Sequence, residues 1–217
     1  MSQTGRYRLR ITFAKEEALK YISHLDLART WERALRRARV PLAYSGGFNP
    51  RPKMAFAAAL PVGYTSVAEM LDVFLEDRLT PAEMTRRLAD ALPAGLRVMA
   101  VAEVEPRLPA LQSQVRAAEY SVRVAWPGDG TELEARIAAL LAETDLPCER
   151  MRKGRRYTYN LRPLIEGLRV EAREGADYRL WMKLRYGSEG TGRPEDVLGA
   201  LGLADALVNI QRIALCV

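Results

Sequence analysis

Four arginines in one short segment are the first candidates for chemistry in this sequence: Arg29, Arg33, Arg36 and Arg37. The last three follow the first by four, seven and eight positions, so in a helix all four share one face. A guanidinium group is planar and donates two hydrogen bonds to one oxyanion, which suits a phosphate. The spacing predicts a basic helix face that contacts RNA or DNA. A solvated face partly paired with Glu32 is the alternative.

A loop over residues 46–53 is the second candidate, because it combines two glycines, two prolines, an asparagine and an aromatic residue with two cations. Glycine permits a positive φ and proline stiffens the exit from the loop. We expect Phe48 to stack on a base while Arg51 and Lys53 meet phosphates, and we count Asn49 among the contacts. The alternative is a rigid connection between strands with Phe48 in the core.

Segment 151–162 is the third candidate, since its cations are interleaved with tyrosines, a composition that suits single-stranded nucleic acid. The contacts predicted there are Arg152, Lys153, Arg155, Arg156 and Tyr157. The tip of an ordinary basic hairpin would have the same composition, so both interpretations stand.

The charge of the chain is segregated along the sequence. Residues 1–60 carry 12 basic and 4 acidic side chains, and residues 150–173 carry 8 and 2. Residues 61–149 between them carry 8 basic and 15 acidic side chains, although the formal net charge of the whole chain is only +6. Clustered Lys and Arg bind polyanions because each phosphate contact releases counterions. The two basic blocks therefore favour a polyanion partner.

The sequence offers little for catalysis or metal binding. His24 is the single histidine, which excludes sites that need several imidazoles. Cys148 and Cys216 are too few for a zinc ribbon or an iron–sulfur cluster. We therefore expect no metal and no cofactor in this chain. The one enzymatic alternative is a metal-independent endoribonuclease that uses His24 together with Tyr21 and Lys53.

The elements that must position these residues follow from periodicity and caps. In the first half, a strand is predicted whose alternating residues Arg6, Arg8 and Arg10 form one solvent-facing side. A helix capped by Ser23 and Asp26 follows, then two or three strands, a helix that opens at Thr80, and a closing strand. This βαββαβ order is repeated after a connector. The predicted class is α+β, with two tandem ferredoxin-like domains and antiparallel sheets, at 1–106 and 117–217, joined by a linker at 107–116.

No apolar signal region opens the sequence, and no run of apolar residues approaches the roughly 18 that a membrane helix needs. We therefore expect a cytoplasmic protein without a membrane partner.

Several longer segments resemble one known family. They are Tyr-Ile-Ser-His-Leu-Asp-Leu at 21–27, Arg-Ala-Leu-Arg-Arg-Ala at 33–38, Tyr-Ser-Gly-Gly-Phe-Asn-Pro-Arg-Pro-Lys at 44–53, Leu-Pro-Val-Gly at 60–63, Asn-Leu-Arg-Pro-Leu-Ile at 160–165 and Arg-Pro-Glu-Asp-Val-Leu at 193–198. Together they resemble the radical SAM-linked protein family, a domain of unknown function numbered 2344. Asn160 departs from the aspartate expected in that family, which places an acid role there in doubt.

The resemblance implies an accessory domain encoded beside, or fused to, a radical S-adenosylmethionine (radical SAM) protein. The iron–sulfur cluster and S-adenosylmethionine are expected only in that partner, because the CxxxCxxC triad is missing here. The leading hypothesis is an RNA-binding module that presents an rRNA or tRNA to the partner enzyme. The alternatives are the His24 endoribonuclease, whose order of elements resembles CRISPR repeat-processing enzymes, and a protein–protein adaptor that binds no nucleic acid.

Overall fold

The computed structural model describes residues 7–152, 154–187 and 190–217. The chain divides into two compact units, the first ending at Val115 and the second spanning Arg116–Val217. Each unit combines helices with a sheet whose paired strands are antiparallel. The predicted α+β class with antiparallel sheets is therefore confirmed.

The described part of the first unit contains four strands and three α-helices. They are β1 (Tyr7–Lys15), α1 (His24–Arg37), β2 (Met54–Phe56), β3 (Thr65–Leu75), α2 (Pro81–Ala89), β4 (Leu96–Val104) and the single turn α3 (Leu111–Gln114). Within this unit β4 pairs with β1, β1 pairs with β3, and β3 also pairs with the short β2. This gives the strand order β4-β1-β3-β2.

The core of the first unit lies between α1 and the sheet. Leu27, Trp31 and Leu35 recur along one side of α1 and are buried. The rings of Trp31 and Phe13 pack edge to face with centroids 4.8 Å apart. Burying a side chain of this size stabilises the fold by roughly 1.5–3 kcal/mol, so these contacts fix the position of α1 on the sheet.

The predicted caps of the first unit are confirmed. The hydroxyl of Ser23 accepts a hydrogen bond of 3.1 Å from the backbone N–H of Asp26, and Thr80 does the same for Glu83 at 3.2 Å. Each side chain thereby satisfies one backbone donor that the first turn of a helix leaves unpaired. The chain leaves α1 through Arg39, whose φ of 51° is in the left-handed region.

The alternating arginines of β1 were expected to face water, and this is wrong for Arg8, whereas Arg6 lies outside the described residues. Arg8 and Asp72 of β3 form a buried ion pair, and Arg10 joins the same carboxylate at 2.8 Å. Arg8 also donates to the carbonyl of Leu108 at 2.8 Å. A buried guanidinium is tolerated here because an ionised carboxylate and backbone carbonyls accept its hydrogen bonds.

The segment expected to be a linker, 107–116, contains α3, which contacts β2. Leu111 and Val115 are buried, and the carbonyls of residues 108 and 109 receive Arg8. Most of this segment therefore packs as part of the first unit.

The described part of the second unit contains six strands and two α-helices. They are β5 (Ala117–Ala125), α4 (Gly130–Ala142), β6 (Pro147–Arg152), β7 (Arg155–Asn160), β8 (Ile165–Glu174), β9 (Asp177–Arg185), α5 (Pro194–Ala200) and β10 (Leu207–Cys216). The strand order is β10-β5-β9-β8, and β6 and β7 form a separate hairpin. With that hairpin set aside, both units have the same order of elements and the same strand pairing. The hairpin is thus an insertion between α4 and β8.

Candidate nucleic-acid interface

All four α1 arginines are exposed on the first unit. Arg37 also donates to the carbonyl of Ala91 at 3.2 Å, whereas no such bond to the rest of the fold is formed by Arg29, Arg33 or Arg36 among the described contacts. Each of these three is one helical turn from the next, so their guanidinium groups lie along one basic side of α1.

Two of these arginines also have acidic neighbours on α1. Arg29 Nη1 lies 3.2 Å from Asp26 Oδ1, and Arg36 Nη2 lies 2.8 Å from Glu32 Oε1. The hydroxyl of Ser23, followed by the Arg29 guanidinium, lowers the pKa of Asp26 below its ordinary value. Exposed pairs of this kind contribute little to stability, so the arginines remain able to exchange these partners for a phosphate.

The loop at 46–53 is closed by backbone pairing rather than by apolar packing. Lys53 donates its N–H to the carbonyl of Ala43 at 2.8 Å, and Ser45 donates to the carbonyl of Arg51 at 2.8 Å. The Ser45 hydroxyl accepts from the N–H of Arg51 at 3.0 Å, and Gly47 takes a φ of 107°. These hydrogen bonds hold the two ends of the loop together and project its tip away from the core.

Phe48 lies at this tip and is fully exposed. The alternative that buried its ring in the core is therefore wrong. A fully solvated phenyl ring gains nothing for folding, but it offers both faces for stacking on a base.

The loop and α1 together form a groove of about 460 Å³, lined by Arg29, Glu32, Asn49, Pro50 and Arg51. Its volume falls within the roughly 300–1,000 Å³ typical of small-ligand pockets. The sequence predicted Arg29 on the helix and Asn49 and Arg51 on the loop as contacts for separate reasons. The structure brings all three to one concave surface.

His24 is the first residue of α1, and its ring packs against Phe56 with centroids 5.1 Å apart. Within the described ranges its Nδ1 is buried and has no hydrogen-bond partner. Tyr21 is exposed, and the backbone of Lys53 is occupied in pairing with Ala43 and Phe74. The His24 ring is therefore packed at the edge of the hydrophobic core.

The β6–β7 hairpin separates the basic residues of the third segment onto two faces. Its register pairs Arg150 with Tyr157 and Arg152 with Arg155, so the backbone positions of Arg155 and Tyr157 share one face. Arg156 is on the other face, 3.2 Å from Glu149. Lys153 lies outside the described residues, and so does the side chain of Arg152.

A cluster at the base of this hairpin attaches it to α5. Asp196 accepts hydrogen bonds from the Arg150 guanidinium and from the Tyr159 hydroxyl, the latter at 2.8 Å. The Arg150 guanidinium also lies 4.6 Å from the centre of the Tyr159 ring. Burial and the hydrogen bond to Asp196 raise the pKa of Tyr159 far above its ordinary value. Sequence reasoning missed Asp196, whose only signal was its place in a family-like segment.

Comparison with known families identifies the chain. A family model described as an uncharacterized protein conserved in bacteria (DUF2344) matches residues 8–194. The chain belongs to this family. The matched range includes the groove of the first unit and the hairpin of the second. No curated protein matches the sequence significantly. The link of the family to radical SAM proteins stays a prediction.

Two solved structures resemble this chain at low sequence identity. A chain in the structure of an H/ACA RNP bound to a substrate RNA containing 2′-deoxyuridine has a TM-score of 0.50 and 11% identity, covering 94% of this chain and 46% of that chain. A chain in a Cbf5–Nop10–Gar1 complex has a TM-score of 0.49 and 13% identity, covering 97% and 48%. This DUF2344 chain therefore spans about half the length of those chains. At 11% identity the likeness to the chain of the H/ACA RNP shows the fold alone.

Asn160, where the family is expected to have aspartate, closes the base of the hairpin. Its Oδ1 accepts from the N–H of Leu146 at 3.0 Å and of Arg162 at 2.9 Å, and its Nδ2 donates to the carbonyl of Thr144 at 3.3 Å. An aspartate would keep both acceptor bonds and lose the donor bond. The side chain at this position therefore has a structural role, since it bonds backbone groups at the base of the hairpin.

Metal sites and membrane spans are both lacking in the part of the chain that the structure describes. Across the described ranges, no group of three or more His, Cys, Asp or Glu side chains is placed to hold a metal ion. No helix among those residues is long and apolar enough to cross a membrane.

Proposed function

We propose that this chain is an RNA-binding accessory module that presents an RNA, such as an rRNA or a tRNA, to a radical SAM partner enzyme. The observation that carries the RNA-binding part is the groove between α1 and the loop, which Arg29, Asn49 and Arg51 line next to the exposed Phe48. Cations for phosphates, an amide for a base edge and a ring for stacking are the groups that single-stranded RNA requires.

The contacts have distinct roles in this proposal. Arg29 and Arg51 bind the phosphates on either side of one nucleotide, and Arg33 and Arg36 extend the basic surface along α1. Phe48 stacks on a neighbouring base. In the second unit, Arg155 and Tyr157 on the hairpin supply a further cation and a further ring.

The radical SAM partner is proposed from the family-like segments of the sequence. In this arrangement the iron–sulfur cluster and S-adenosylmethionine belong to the partner, and this chain contributes RNA binding alone. The H/ACA RNP whose TM-score is 0.50 is bound to a substrate RNA. That likeness supports the fold, whereas the RNA proposal rests on the groove.

We further propose that each unit is a ferredoxin-like domain. The support is the shared order of strands, β4-β1-β3-β2 in the first unit and β10-β5-β9-β8 in the second, with antiparallel neighbours throughout. This is the order expected of a βαββαβ split unit.

The test is fluorescence anisotropy with labelled tRNA and rRNA fragments at two salt concentrations. We expect Arg29→Ala/Arg51→Ala to weaken binding at least roughly tenfold, because two charge-assisted contacts are lost. The salt slope should fall by about 0.7 for each lost phosphate contact with a single strand.

The matched control is Arg78→Ala/Arg86→Ala, which removes two exposed arginines of the same unit that lie outside the groove. An equal loss in both variants would show non-specific attraction to charge instead of a site. If the wild type binds no RNA at low salt, the protein–protein adaptor is the better explanation.

A further inference from the structure

Glu32 is an acidic residue within a groove that otherwise offers cations and an amide. A carboxylate repels a phosphate, so its place beside Arg29 and Arg51 works against simple phosphate binding. Its contact with Arg36, 2.8 Å between Arg36 Nη2 and Glu32 Oε1, joins an exposed arginine to a half-buried glutamate one helical turn away. Pairs of this kind add little to stability, so the ion pair alone gives Glu32 a small role in folding.

An ionised carboxylate accepts hydrogen bonds at both oxygens and donates none. The contact with Arg36 therefore leaves further acceptor positions on the Glu32 side chain. A carboxylate binds best to a group that presents two adjacent donors, as a guanidinium does.

Among unpaired RNA bases, only guanine presents two adjacent donors on its Watson–Crick edge, at N1 and N2. Adenine and cytosine each present one amino group beside an acceptor, and uracil presents one N–H between two carbonyls. An acceptor on the protein next to an acceptor on the base is left unpaired and costs binding free energy.

We propose that this groove binds one unpaired guanine nucleotide, with the Glu32 carboxylate accepting from N1–H and N2–H of the base. The inference rests on the RNA-binding function proposed above and names the nucleotide that the same site selects. Arg29 and Arg51 hold the flanking phosphates, and Asn49 is placed to bind a remaining base or ribose oxygen. The volume of about 460 Å³ is enough for a single nucleotide.

The test uses four labelled heptamers of uridine whose central residue is G, A, C or U, with anisotropy at one fixed salt concentration. For the wild type we expect the G heptamer to bind on the order of tenfold more tightly than the A heptamer. Glu32→Gln should reduce this ratio to near one, because glutamine presents one acceptor and one donor. Comparing ratios removes the general gain in affinity that follows from losing a negative charge.

Glu83→Gln is the matched control, since Glu83 on α2 is similarly accessible and also pairs with an arginine one turn away, at 2.9 Å. It should keep the preference for guanine. If the wild type binds all four heptamers equally while Arg29→Ala/Arg51→Ala still abolishes binding, guanine selection is overturned and RNA binding stands. If the wild type binds none of them and no tRNA or rRNA fragment, both proposals fail.

Discussion

Tyr159 of β7 donates a hydrogen bond of 2.8 Å to the carboxylate of Asp196 in α5. The same carboxylate accepts from Arg150, so one aspartate holds both strands of the β6–β7 hairpin. Because the other strands of this unit pair in a separate sheet, the hairpin depends on this cluster and on Asn160 for its position. Asp196 therefore helps to fix the position of β7, the strand that carries the exposed Arg155 and Tyr157.

Asp196→Ala should release the hairpin while leaving the sheet of the second unit folded. The Arg150 guanidinium would lose its charged partner, and we expect the free energy of unfolding to fall by about 1–3 kcal/mol. Trypsin should cleave after Arg155 and Arg156 several times faster. Urea unfolding and a digestion time course measure the two effects.

Asp205→Ala is the control for this prediction, because Asp205 is an exposed aspartate of the same unit. It should change neither the unfolding midpoint nor the rate of cleavage. Equal cleavage rates for Asp196→Ala and the wild type would contradict the assigned role of Asp196.

Tyr159→Phe should alter how stability depends on pH. Burial and Asp196 raise the pKa of Tyr159 in the folded state, while the unfolded chain releases the same proton near pH 10. The stabilisation is therefore complete below that pH and is lost as the pH rises above it. At pH 8 the variant should be less stable by about 1–2 kcal/mol, and the difference should shrink toward pH 10.5.

Urea unfolding at several pH values measures this difference, and Tyr21→Phe serves as the control. Tyr21 is exposed on the first unit, so its replacement should leave the pH dependence unchanged. A stability difference between wild type and Tyr159→Phe that stays constant up to pH 10.5 would show that the folded state does not raise the pKa of Tyr159.

The sequence predicts α1 well because the signals that define it are local. Ser23 and Asp26 form the cap within one turn, and the buried positions of Trp31 and Leu35 follow the helical period. The unusual composition of the 46–53 loop is equally visible in the sequence. That these elements create one groove was not predictable, because it depends on backbone pairing that closes the loop beside α1.

Contacts between residues that are distant in sequence also explain which predictions from the sequence pattern were wrong. Alternation in β1 indicated that Arg8 faces water, but its buried partner Asp72 is on another strand. Likewise, the composition of the hairpin could not separate Arg156 from Tyr157, because their faces depend on the register between β6 and β7. In each case the deciding contact joins residues that are distant in sequence.

Asp72→Ala should be among the most damaging single changes in the first unit. It would leave the buried Arg8 and the half-buried Arg10 without their shared carboxylate. Removing one partner of a buried ion pair typically costs about 3–5 kcal/mol, so we expect a loss of that order in the free energy of unfolding. Urea unfolding measures it, with the exposed Asp77→Ala as the control. A loss equal to that of the control would show that water replaces the carboxylate.

Phe48→Ala should separate binding from folding. Because the ring is fully exposed, its removal should change the free energy of unfolding by less than about 0.5 kcal/mol. If the ring stacks on a base, the change should weaken RNA binding by roughly 1–3 kcal/mol, which is about fivefold to a hundredfold or more.

Val62→Ala is the control for Phe48→Ala, because Val62 is an exposed apolar residue of the same unit that does not line the groove. Anisotropy and urea unfolding should show wild-type affinity and stability for this variant. Unchanged RNA affinity in Phe48→Ala would remove the stacking contact from the proposal. A loss of stability alone would show instead that the ring supports the loop, and the basic groove would have to bind RNA without it.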